Sequence, residues 1–229
     1  MSSVAAFLPS THGFQFPNAW PKGTPIVVLP TPVGDLKLGD ANSGLCGGMA
    51  MAAADLFYAN RHPPADSSPP AGGSAQFEYL SSRLFDSWNI PQGPITFAYW
   101  AVTLDHDTGF IVDRPGVSHM TISDQIPPLK SMIDQGHPCL LGLVTVRDVT
   151  ELGKCHIVLA YRYETEGSVF TTYVYDPNSP GNDSVFISLD TSSPEHSTPI
   201  NHTVNIDDPI RGFFVLQYSF KDPSSIAGP

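Results

Sequence analysis

Basic residues are scarce in this chain: 11 Lys and Arg stand against 22 Asp and Glu, a formal net charge of −11. Such a surface repels phosphate, which excludes nucleic acid as a principal partner. Cysteine is scarcer still, with three in 229 residues. That odd, small number argues against a disulfide framework and makes a reducing compartment the default. No apolar run nears the roughly 18 residues needed to cross a bilayer. The stretch Met1-Ser-Ser-Val-Ala-Ala-Phe-Leu8 has neither the basic start nor the full apolar core of a signal peptide. The expectation is a soluble chain beginning at Met1, with no membrane association and a cytoplasmic location by default, export by a non-standard route being left open. Metal-ligand spacing is also missing. The eight His are scattered, Cys139 falls in a predicted strand and Cys155 at the start of another, and Asp105-His-Asp107 is too short a ligand set. Neither a metal nor another cofactor is expected.

What the chain does have is proline and glycine, 23 and 19 residues, together with 41% hydrophobic residues. Long irregular connections around a substantial core follow, and the length suits a single domain. Residues 1–41 read as a loop-rich arm with a short strand at Ile26-Val-Val-Leu29, anchored by Phe14, Phe16 and Trp20. Residues 42–136 read as a mainly helical half, 137–220 as an antiparallel sheet and 221–229 as a tail. Helical spacing predicts helices over 76–89, 94–102 and 123–135, strand being the competing reading of the second. Helices followed by strands make the fold class α+β.

The stretch Asn42-Ser-Gly-Leu-Cys-Gly-Gly-Met-Ala-Met-Ala-Ala-Ala-Asp-Leu-Phe57 places one cysteine at the opening of a helix. Leu45, Met49, Ala52, Ala53, Leu56 and Phe57 recur at helical spacing, and almost nothing polar precedes Asp55, so the helix is expected to be covered on most sides. Asn42 or Ser43 is the expected N-cap. Cys46 then lies in the first turn, where the helix end and its free N–H groups favour thiolate over thiol. Gly47 and Gly48 are poor helix formers, and their missing side chains would let a substrate or a neighbouring strand approach the sulfur.

From Pro138 the period changes to two. Strands are expected over 139–146, 156–163, 169–175, 185–189 and 212–218. The second and third are joined by Glu164-Thr-Glu-Gly-Ser168, and a hairpin symmetric about Glu166 sets His156 opposite Asp176. Cys155 would then point to the other face. A one-residue slip or a bulge at Gly167 would break the pairing. A nucleophile at a helix start, a histidine at a strand end and a carboxylate beside it are the three roles cysteine catalysis requires.

On Leu45-Cys-Gly-Gly-Met49, His156-Ile-Val-Leu-Ala-Tyr161 and Val174-Tyr-Asp-Pro-Asn-Ser-Pro-Gly181 the sequence resembles the papain-like cysteine peptidases, and more closely the peptidase C39-like branch. The resemblance implies a papain-like domain spanning 1–229, in which Cys46 is the nucleophile, His156 the general base and Asp176 the orienting residue. Asn178 is the alternative if an amide orients the base. The family usually carries Gln about six residues before the nucleophile to complete the oxyanion hole, and this chain has Asp40 there. A carboxylate would repel a developing oxyanion, leaving Asn42 or, through folding, Asn18 as candidates. The implied activity is hydrolysis of a peptide or amide bond in a peptide or protein substrate. Acyl transfer to an amine and an inactive binding module are the alternatives.

Overall fold

The computed structural model of the chain describes residues 1–31, 34–89, 91–109 and 114–228. The chain opens with β1 (Ser2–Ser3), α1 (Pro9–His12) and a hairpin of β2 (Val27–Thr31) and β3 (Gly34–Leu38). Three helices follow: α2 (Cys46–Tyr58), α3 (Ala75–Trp88) and α4 (Gln92–Val102). Next, α5 (Val117–His119) runs through π-helical turns at Met120–Gln125 into α6 (Ile126–Asp134). The strands β4 (Cys139–Val144), β5 (His156–Glu166), β6 (Val169–Tyr175), β7 (Phe186–Asp190), β8 (Asn201–His202) and β9 (Gly212–Val215) complete an α+β fold. Their sheet is antiparallel, in the order β8-β7-β6-β5-β4-β9, with β1 pairing on β5. No helix among the described residues is long and apolar enough to cross a membrane.

The alanine-rich α2 is the centre of the packing, because small side chains let neighbours close on it from several directions. Ala50, Met51, Ala53 and Ala54 join the core shared with the sheet, while Leu45, Met49, Ala52 and Leu56 join a second core with Phe14, Phe16 and Trp20 of the arm and Phe77, Leu80 and Leu84 of α3. Asp55 is fully buried, and Arg83 Nε of α3 lies 2.7 Å from its Oδ2. The hydroxyls of Tyr79 and Tyr218 and the N–H of Lys221 also donate to this carboxylate. Arg83 thus lies inside, although helical spacing sets it off the apolar stripe of α3.

Four local expectations are corrected. The N-cap of α2 is Leu45, without a side-chain bond; Asn42 and Ser43 belong to a 3-10 turn, Ala41–Ser43, capped by Asp40. The 123–135 helix begins earlier, at Val117, with Pro127 and Pro128 in the first turn of α6, where a missing N–H costs little. The space at Gly47 and Gly48 is taken chiefly by helix α3, with the neighbouring strand β5 close only at Gly47: a Cβ on Gly48 would sit 2.1 Å from the Leu80 carbonyl oxygen, and one on Gly47 2.2 Å from Ser87 Oγ and 3.0 Å from Ile157 Cδ1.

The hairpin register is the fourth. The pair Glu166↔Val169 leaves a two-residue turn at Gly167-Ser168, with Gly167 at φ +58°. The bulge lies at Tyr161 instead, between the pairs Arg162↔Tyr173 and Ala160↔Val174. Extending the register beyond the bulge sets Asn178 across from His156 and Asp176 across from Val158, so His156 and Asp176 are diagonal neighbours on one face. Without the bulge Asp176 would stand across from Leu159, on the opposite face from His156.

Candidate active site

Cys46 opens α2, and its half-buried side chain meets the first residues of β5. Gly47 approaches this strand closely, since an added Cβ would lie 3.0 Å from Ile157 Cδ1. His156 is buried at the start of β5, paired to Leu143 of β4, so the sheet interior fixes its backbone. Its Nε2 lies 2.7 Å from Asp176 Oδ1. This leaves Nδ1 as the ring nitrogen not engaged by the carboxylate, and Cys46 lies near enough for its charge and that of His156 to act on each other. A carboxylate on Nε2 fixes the tautomer and ring orientation and stabilises positive charge on the imidazole.

Asp176 is itself fully buried just beyond β6 and is saturated with donors. Besides His156, the N–H of Asn178 reaches Oδ1 at 2.9 Å, while the N–H of Asn205 at 2.9 Å and Ser179 Oγ at 3.1 Å donate to Oδ2. Asn178, the alternative orienting residue, therefore supports Asp176 and forms no hydrogen bond to His156. Asn205 has no signal in the sequence, because its place depends on a loop returning from β8.

The electrostatics follow from these contacts. Burial opposes a charged imidazole, but the charge of the Cys46 thiolate and the hydrogen bond to Asp176 outweigh it and raise His156 to about 10. Burial likewise opposes the Cys46 thiolate, yet the charge of His156, with the N–H groups of Ile157 and Gly47, holds its pKa below the ordinary thiol value. Asp176 is also held low: its burial is outweighed by the hydrogen bond and charge of His156 and by the N–H groups of Asn205 and Asn178. A thiolate–imidazolium pair is the state these shifts favour.

The oxyanion candidates separate in space. Asn18 Oδ1 accepts the Leu45 N–H at 2.6 Å, directly before Cys46, and its Nδ2 donates to Asn178 Oδ1 at 3.1 Å. The second Nδ2 hydrogen is left over. Gly44, at φ +87°, makes room for it: a Cβ there would be 2.5 Å from Asn18 Nδ2. Asn42 is exposed on the 3-10 turn, and among the described residues its side chain makes no hydrogen bond to the site. Asp40, at the position of the expected Gln, accepts the N–H groups of Asn42 and Gly23, each at 3.0 Å. Those bonds lower its pKa and occupy it as a turn cap.

A cavity of about 440 Å³ adjoins the sulfur, lined mainly by apolar side chains of α3, α4 and the segment entering β5, with Asp40 at its edge. Cys155 lines it too, contrary to the expectation that it would point away. It precedes β5 and ends the 3-10 turn Val149–Lys154, so strand alternation does not govern it. Among the described residues no group of three or more His, Cys, Asp or Glu could hold a metal ion. Comparison of the chain with protein-family models, curated proteins and solved structures finds no match.

Proposed function

We propose that this chain is a papain-like thiol hydrolase of the peptidase C39-like kind, acting on peptide or amide bonds through an acyl-enzyme. The observation that carries the reading is the grouping of Cys46, at the start of a buried helix beside an open cavity, with a buried His156 whose Nε2 lies 2.7 Å from Asp176 and whose charge acts on the sulfur. Cys46 Sγ attacks the substrate carbonyl carbon, and the carbonyl electron pair moves to oxygen. The Cys46 N–H, in the first helical turn where no carbonyl of the helix can accept it, and the remaining Asn18 Nδ2 hydrogen supply donors for that oxygen. Collapse breaks the C–N bond as His156 passes its proton to the leaving nitrogen. His156 then takes a proton from a water whose oxygen attacks the thioester carbon; the C–S bond breaks, releasing the acid and restoring the Cys46 thiolate beside protonated His156.

The test is turnover of a peptide and amide library with mass spectrometry of the intact protein. Rapidly quenched wild type should carry an acyl adduct on Cys46, Cys46→Ala none, and His156→Ala should lose about 10²–10⁴-fold in rate. Turnover that survives Cys46→Ala would contradict the reading.

A further inference from the structure

Asn178 commits every polar group it has. Its N–H donates to Asp176 Oδ1 at 2.9 Å, its Oδ1 accepts from Asn18 Nδ2 at 3.1 Å, its Nδ2 donates to the Asn205 carbonyl at 2.9 Å, and its own carbonyl accepts Asn205 Nδ2 at 3.0 Å. Each partner is anchored in turn to the candidate site. Asn18 Oδ1 holds the N–H of Leu45, next to the nucleophile, and the Asn18 N–H reaches the Pro177 carbonyl at 3.0 Å. Asn205 closes the other side with its N–H on Asp176 Oδ2.

We propose that Asn178 is a positioning residue, assisted by Asn205, that fixes the spacing between the Cys46 end of α2 and the His156–Asp176 pair. This rests on the thiol hydrolase reading. The two sides come from distant parts of the chain: Leu45 and Asn18 lie with the helix and the arm, Asp176 and Asn205 with the sheet. The Asn178 side chain joins them without touching the reacting atoms. Because each carboxylate oxygen of Asp176 has its own backbone donor from this pair of asparagines, the carboxylate cannot rotate away from Nε2 without breaking one. Core packing does not explain the arrangement, since Asn178 is half-buried and Asn205 exposed. The same exposure lets variants at both positions fold.

The test measures Cys46 alkylation rate against pH, with thermal unfolding, in wild type, Asn178→Ala, Asn205→Ala and Asn205→Gln. The Asn205→Ala change removes only the bond to the Asn178 carbonyl and leaves the backbone donor to Asp176. Loss of the Asn178 side chain should move the acid limb of the profile upward and slow alkylation at neutral pH about tenfold or more. Asn205→Ala should shift it the same way by less, and Asn205→Gln should restore part of the loss, with unfolding temperatures near wild type. A low wild-type profile left unchanged by both alanine variants would overturn the positioning role alone. A wild-type profile like that of an ordinary thiol, near about 8.5, would overturn the hydrolase reading and the positioning role together.

Discussion

Three cysteines with three environments make the residue scale directly testable. The Cys46 thiol is held low, Cys155 is pushed up by burial, and burial alone takes Cys139 to about 12. Limited alkylation of the folded protein near neutral pH should modify Cys46 first, Cys155 more slowly and Cys139 last, as read by peptide mapping. Modification of Cys155 ahead of Cys46 would contradict the charge arrangement described. At this scale the sequence was informative about identity and less so about direction. Helix and strand starts single out Cys46 and His156, whereas Asp176 was singled out by a hairpin symmetry that the observed register does not keep, its place beside His156 depending on the bulge at Tyr161. The side of the sheet that Cys155 faces was not legible, because alternation holds within a strand and Cys155 lies just outside one.

Elements were legible where their pattern is local. The apolar stripes of α2, α3 and α4 and the apolar runs of β4 to β6 correspond to observed elements, β4 being buried on both faces. Contacts between elements were not. Gly47 and Gly48 stand out as poor helix formers, but only the packed helices show that α3 needs the space. Gly48→Ala should therefore destabilise strongly. Overpacking a core typically costs about 1–3 kcal/mol, and a Leu80 backbone oxygen 2.1 Å from the added carbon cannot swing aside as a side chain would. The upper end of that range is expected in denaturant unfolding, and a loss under about 0.5 kcal/mol, typical of an unconstrained surface site, would contradict this packing. The bulge at Tyr161 was equally hidden: a glycine in the turn invited a shift there, whereas the shift occurs inside β5, where β1 and β4 succeed one another along its edge.

At the scale of the whole molecule, the order of helices before sheet was readable as α+β, but the arm's role was not. Its apolar anchors are visible in sequence and pack as a core with α2 and α3. Two of its links are long-range and carry no local signal: β1 pairs with β5, and Asn18 bridges Leu45 to Asn178. The groups that lower the Cys46 pKa, His156, Ile157 and Gly47, come from β5 and α2, so the proposed thiolate–imidazolium pair rests on the packing of helix on sheet.

That pair is the central claim, and the pH dependence of Cys46 alkylation in wild type and His156→Ala tests it most directly. With the thiol pKa lowered and the imidazolium retained up to about 10, reactivity should appear well below the ordinary thiol range and hold nearly level until His156 begins to lose its proton. His156→Ala should remove the low-pH reactivity and return the profile toward about 8.5 or above. A single wild-type titration near that value, unmoved by His156→Ala, would contradict the account.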